Sequence, residues 1–211
     1  MHKKVLEQFR LVSDLNGYPE EEYNETVRDY AGTQELAEAA KIDIALKDKE
    51  EIIFGDISLQ ALHTPGHTGG SVCYRFEEDL FCGDTILEQI TPITFFKGAR
   101  KKTGPGHYRR SLETLGKLDV RRAYPGHQNA FTHFPDVLRR INRHQEIRKE
   151  RILKAIDRPQ NAFETARKAF PSKAFGARWL AFAQTVGLLE DLLDEGKVVR
   201  LDDSPIRYKR A

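Results

Sequence analysis

Three residues have the types and settings that metal-assisted hydrolysis uses. His67 lies in the stretch His63-Thr64-Pro65-Gly66-His67-Thr68-Gly69-Gly70-Ser71. Asp84 lies in Phe81-Cys82-Gly83-Asp84-Thr85, and His127 closes Tyr124-Pro125-Gly126-His127. Each follows a run that reads as a β-strand and sits in a turn rich in Gly and Pro. Two neutral imidazoles and a carboxylate at strand exits are the donors of a zinc-type hydrolytic site. Strand ends are held by their sheet, so the turns that follow them can place side chains with the precision a metal site needs. Pro65-Gly66 and Pro125-Gly126 turn the chain abruptly, and Gly lets the backbone pass close by. The donor set is short, however. The only histidine before residue 63 is His2, and no His-x-His pattern occurs anywhere in the chain.

The elements that must position these residues can be read from periodicity. Residues 2–15 read as an amphipathic helix, with further helices near 20–30 and 34–41. The period then changes to two. Residues 52–54 and 57–62, joined at Gly55-Asp56, read as a hairpin. Residues 71–76, 80–82 and 120–124 read as strands, and residues 111–118 as a helix. Residues 97–110 read as a basic, Gly-rich loop carrying Lys97, Arg100, Lys101, Lys102, Arg109 and Arg110. A long helix begins at Phe134, with Val137, Leu138, Ile141, His144, Ile147, Ile152 and Ile156 on its apolar stripe. Two more helices, at 162–169 and 177–195, precede a hairpin over 196–209. Helices followed by a terminal hairpin describe a winged-helix module.

With these motifs in order, the chain resembles the metallo-β-lactamase fold hydrolases over residues 50 to 145. Residues 147–211 are similar to the winged-helix domain of the branch containing hydroxyacylglutathione-hydrolase-like proteins and a β-lactamase-like endoribonuclease. The resemblance implies an α/β (α+β) fold: an incomplete αββα metallo-β-lactamase sandwich over 1–146, then a winged-helix domain over 147–211. It implies that His67 is the last histidine ligand of a first metal, that His127 ligates a second, and that Asp84 bridges them as the catalytic carboxylate. The implied cofactor is zinc, with manganese or iron as alternatives. The implied activity is hydrolysis of an ester, thioester, lactone or phosphodiester by a metal-bound hydroxide. The family's His-x-His-x-Asp-His motif is missing, so the chain is expected to be truncated, with an incomplete site and little activity alone. The alternative is a non-catalytic remnant, or a binding module acting through the winged helix.

Composition bounds the rest. The 34 basic and 32 acidic residues nearly cancel, but residues 147–211 carry 14 basic against 9 acidic. With the basic loop, this fits a small-molecule substrate that is anionic, and a solvated surface explains it as well. The second helix of the winged-helix module, at 177–195, offers only Arg178 and Gln184 as base-reading side chains, which disfavours nucleic acid. A homodimer that buries an exposed half-sheet is a further expectation. Cys73 and Cys82 fall in apolar strands and read as buried thiols. The N-terminus lacks the apolar core of a signal peptide, and no apolar run approaches the ~20 residues of a membrane span, so a cytoplasmic protein is expected. Of the remaining histidines, His63 reads as a hydrogen-bonding loop residue, His144 as a core residue, and His107 and His133 as exposed.

Overall fold

The computed structural model describes residues 2–33, 41–97, 102–171 and 175–211. The expected helix near 34–41 and the basic residues Arg100 and Lys101 lie largely or wholly outside those residues. The chain forms two compact units, residues 43–147 and residues 1–42 with 148–211.

The first unit is built on a five-stranded sheet of β1 (Glu51–Phe54), β2 (Ile57–His63), β3 (Val72–Phe76), β4 (Asp79–Gly83) and β5 (Arg122–Pro125), in that spatial order. β1 to β4 are antiparallel neighbours, and β5 joins β4 in parallel after a crossover through α3 (Pro105–Leu115). A parallel pair requires such a crossover. Alternation sends Leu62, Cys73, Leu80, Cys82 and Ala123 to one face. There they pack with Tyr108, Leu112 and Leu115 of α3, and with Phe134, Val137, Leu138 and Ile141 of α4 (Phe134–Ala155). The opposite face is also apolar. Cross-strand neighbours Tyr74, Phe81 and Tyr124 run across it, and Phe81 stacks on Tyr124 with ring centres 4.9 Å apart. Ile57, Leu59, Tyr74, Phe76 and Phe81 line an open hollow on that face. Phe54, Ile57 and Phe81 are 61%, 48% and 42% exposed. A sheet that is hydrophobic on both faces is one that two layers should cover.

α3 begins six residues before the helix expected from residue 111. Pro105 occupies its first turn, where a missing N–H costs nothing and a fixed φ favours the helix. What read as the end of a basic loop is therefore helical.

The second unit contains α1 (His2–Asn16), α2 (Glu20–Thr33), β6 (Gln160–Asn161), α5 (Ala162–Ala169), α6 (Phe175–Asp194), β7 (Val198–Leu201) and β8 (Arg207–Arg210). The strands pair in the order β6-β8-β7. The sequence reading placed residues 1–146 in one domain, whereas α1 and α2 cluster with the C-terminal segment. The cause is aromatic. Tyr18, 5% exposed, stacks on Phe182 at 4.5 Å and meets Trp179 and Phe163 edge-on, while Phe9 meets Trp179 at 4.7 Å. The Ile206 N–H also donates to the Leu15 carbonyl. α5 starts with a capping box, in which Asn161 and Glu164 each accept from the other's backbone N–H. Trp179 and Phe182 are core residues, as expected.

Both cysteines are free and fully buried. Burial pushes the Cys73 thiol up to about 11 and the Cys82 thiol up to about 12, because the thiolate would lose its water. A thiol-reactive dye at neutral pH should therefore find no rapidly reacting cysteine in the native chain and two after denaturation. A fast native reaction would contradict this packing.

Among the described residues, no helix is long and apolar enough to cross a membrane.

Candidate metal centre

His67, Asp84 and His127 come together at one end of the five-stranded sheet. β2 ends at His63, and the loop back to β3 carries His67. The Thr64 N–H donates to the Ser71 carbonyl at 2.9 Å and the Gly66 N–H to the Thr68 carbonyl at 3.1 Å, closing the loop on itself. α3 holds it from outside, with the Ser111 hydroxyl donating to the Pro65 carbonyl at 2.8 Å. Gly66 is required here. Its φ is +146°, and a Cβ would lie 2.5 Å from the Cα of Tyr108. His63 takes its expected place, with Nε2–H donating to the Gly69 carbonyl at 3.0 Å.

β4 ends at Gly83 and turns immediately, the Thr85 N–H donating to the Cys82 carbonyl at 3.0 Å. The Tyr108 hydroxyl donates to the Thr85 carbonyl at 2.8 Å, and the hydroxyls of Thr85 and Thr64 lie 3.2 Å apart, which ties the Asp84 turn to the His67 loop. β5 delivers His127 alongside. The Gly126 N–H donates to the Gly83 carbonyl at 2.9 Å.

The resulting geometry is specific. The His127 Nε2 lies 3.5 Å from Asp84 Oδ1, and the His67 Nε2 lies 4.0 Å from Asp84 Oδ2. Each imidazole thus faces its own oxygen of one carboxylate. His67 donates its Nδ1–H to the Ile93 carbonyl at 2.7 Å, so its Nε2 carries a lone pair toward Asp84. Asp84 Oδ1 is buried and has no hydrogen-bond partner. Buried polar atoms are nearly always satisfied, and an orphaned carboxylate oxygen calls for a donor or a cation. Two donors on one tetrahedral zinc stand about 3.4 Å apart, given bonds of 2.0–2.2 Å. Both observed pairs are close to that, so the residues fit two half-sites that share Asp84. Among the described residues, no group of three or more His, Cys, Asp or Glu surrounds a single point. Each half-site therefore has two donors.

Gly126 sets the approach of β5 to this carboxylate, since a Cβ there would lie 2.7 Å from Asp84 Oδ1 and 3.3 Å from the Gly83 carbonyl carbon. Gly126→Ala should displace Asp84 or the β5 exit and weaken zinc binding at least tenfold, an effect of the size seen when ligand-orienting contacts are lost. Calorimetric titration of the metal-free chain would read it; unchanged affinity would show that the cradle is slack.

The sequence singled out the three residues that the structure brings together, but several of their supports were invisible to it. The Ile93 carbonyl belongs to a stretch without regular structure. Gln128, in the left-handed region at φ 75°, accepts the Gln89 N–H at 3.0 Å. His144 is a correction: it is exposed, and its Nδ1 bonds the Thr91 hydroxyl at 3.0 Å. His133 is exposed as expected and lies 3.3 Å from a Glu88 carboxylate oxygen. His107 is partly buried, and that burial, followed by Arg110 and Lys102, holds its pKa below the usual imidazole value.

Residues 8–127 match the Metallo-beta-lactamase superfamily. A hydroxyacylglutathione hydrolase of Methylococcus capsulatus is 55% identical over 79 residues, covering 36% of this chain and 28% of that protein. A probable polyketide biosynthesis zinc-dependent hydrolase of Bacillus subtilis, PksB, is 46% identical over 46 residues, 22% of this chain and 20% of that one. The crystal structure of the metallo-beta-lactamase family protein TTHA1429 from Thermus thermophilus superposes with a TM-score of 0.79 at 31% identity. It covers 93% of this chain and 61% of that chain. The chain thus spans less than a third of the length of these two curated relatives. The sheet-and-helix unit and its strand-end turns are those of a known fold, and more than half of the sequence carries the matching profile: the chain belongs to the metallo-beta-lactamase superfamily.

Proposed function

We propose that His67, Asp84 and His127 are part of a divalent-cation centre, zinc first, with manganese or iron as alternatives, in a hydrolase that cuts an ester, thioester, lactone or phosphodiester bond. The observation that carries this reading is Asp84, whose buried Oδ1 lacks a hydrogen-bond partner while each of its oxygens faces a separate imidazole. The printed names of the relatives, a hydroxyacylglutathione hydrolase and a zinc-dependent hydrolase, support it.

When bound, a divalent cation supplies water of lowered pKa and polarises the substrate oxygen. The chain's own residues hold and orient. His67 offers a lone pair at Nε2 because its proton is fixed at Nδ1 on Ile93. Asp84 spans both half-sites with one oxygen each, and its charge favours cations at both. His127 completes the second pair from an exposed position. Catalytic zinc takes three protein donors, so each half-site needs donors from outside this trio. Lys97, Lys102, Arg109 and Arg110 are exposed and follow Asp84 in the chain, which suits an anionic small molecule.

For residues 147–211 a winged-helix module is the reading that best fits the β6-β8-β7 order with its β7–β8 hairpin after α6. The open apolar face of the five-stranded sheet is proposed to cover itself with a second copy of the chain.

The test is cation content with activity. The chain, stripped by a chelator and dialysed against zinc, should retain stoichiometric metal and cleave at least one chromogenic ester, thioester or phosphodiester faster than the stripped chain. Zinc at background would sink the reading. Retention of zinc without cleavage would favour a non-catalytic member of the family.

A further inference from the structure

We infer that Arg140 of α4 is a positioning residue for His67, acting through the segment 87–93. This rests on the metal-centre reading for its purpose, though not for its geometry.

Residues 87–93 have no regular secondary structure, so their backbone groups need partners from elsewhere. Arg140 supplies two of them. Its Nη2 donates to the Leu87 carbonyl at 2.8 Å and to the Ile90 carbonyl at 3.3 Å, and its Nη1 reaches the Thr91 hydroxyl at 3.5 Å. His144, one helical turn further along α4, bonds the same hydroxyl at 3.0 Å. Thr91 is buried, so that hydroxyl is shielded from water. Two residues beyond this clamp, the Ile93 carbonyl accepts the Nδ1–H of His67.

A guanidinium can grip two carbonyls and a hydroxyl because its donors form a rigid planar fork, which an ammonium cannot match. With the fork in place, the Ile93 carbonyl is held where it selects the Nδ1–H tautomer of His67 and sets the ring plane. Without it, the segment loses its hold on the Leu87 and Ile90 carbonyls and keeps the ties from Gln128 to Gln89, from His133 to Glu88 and from His144 to the Thr91 hydroxyl. The first two act before residue 90, and the third holds a side-chain hydroxyl rather than the backbone. The carbonyl would then wander, and His67 would sample the Nε2–H tautomer, in which the nitrogen facing Asp84 has no lone pair.

The test is made on the metal-free chain with labelled histidine. Imidazole nitrogen chemical shifts should report a single Nδ1–H tautomer for His67 in the parent and an averaged mixture in Arg140→Met. Zinc affinity should fall about tenfold in the variant, the scale of effects from groups that orient metal ligands. Arg140→Lys should restore little of either. Thr91→Val, which removes the shared hydroxyl, should move the shifts the same way and decides the matter if Arg140→Met fails to fold. An unchanged His67 nitrogen pattern in a folded variant overturns the inference. Failure of the parent itself to bind zinc would count against the metal centre alone, since the tautomer readout needs no metal.

Discussion

Asp84→Ala should abolish zinc uptake by the chain and leave the metal-free protein as stable as the parent, or more so. The two halves of this expectation come from the same atom. Asp84 is the only group shared by both half-sites, so its loss leaves His67 and His127 as isolated imidazoles. One donor cannot hold zinc against water, whereas His67→Ala and His127→Ala each leave one pair intact and should each lose only part of the bound metal. In the metal-free state Asp84 has only the imidazole contacts at 3.5 and 4.0 Å to offer. Its buried Oδ1 has no hydrogen-bond partner, and such an atom costs about 1–3 kcal/mol. Removing it should raise the denaturation midpoint or leave it unchanged, which is the trade between stability and function common at active sites. Elemental analysis and urea unfolding of chelator-treated samples read the two quantities separately. A variant that loses zinc because it has unfolded would show a lowered midpoint, and an Asp84→Ala chain that binds zinc like the parent would remove Asp84 from the centre.

The meeting of His67, Asp84 and His127 was legible in the sequence because its constraints are written in residue type. Only Gly tolerates the backbone at Gly66 and the contact between Gly126 and Asp84, and metal donors come from a short list of side chains that includes His and Asp. The supports were not legible because they use groups every residue has. Nothing in the sequence distinguishes the Ile93 carbonyl from its neighbours, nor says that an Arg seven positions into a helix will grip Leu87 and Ile90.

The strands β1 to β4 followed from period-two alternation, and the missed start of α3 followed from reading Gly104-Pro105-Gly106 as loop punctuation when Pro105 opens the helix. His144 was placed on the apolar stripe of α4 by spacing. Val137, Leu138, Ile141, Ile152 and Ile156 on that stripe are buried, but the middle of the helix carries no buried apolar residue between Ile141 and Ile152. His144 falls in this gap and serves the Thr91 hydroxyl. The membership of α1 and α2 was hidden for a different reason. It depends on Tyr18 meeting Phe163, Trp179 and Phe182, contacts between residues about 150 positions apart that no local periodicity records.

Phe81→Lys should convert a reversibly associating chain into a monomer without unfolding it. Phe81 sits between Tyr74 of β3 and Tyr124 of β5 on the open face, within a surface that also exposes Phe54 and Ile57. Taking roughly 200 Å² for a large apolar side chain, the exposures of Phe54, Ile57 and Phe81 leave on the order of 300 Å² of apolar surface on the face, within the range of the largest patch of a typical monomer. Two copies stacked face to face would bury on the order of 600 Å² from these side chains, below the size of standard specific interfaces, so the association should be weak and concentration-dependent. A lysine at the centre of the patch would have to lose its water in the dimer and would meet its symmetry mate's charge, a penalty the monomer escapes. The folded monomer gives up only the stacking on Tyr124, about 0.5–1.5 kcal/mol. Sedimentation velocity over a hundredfold concentration range should show the parent's mean mass rising toward twice its monomer value, and Phe81→Lys staying at one. A parent that remains monomeric throughout, or a variant that associates equally well, would show that this face does not pair with its own copy.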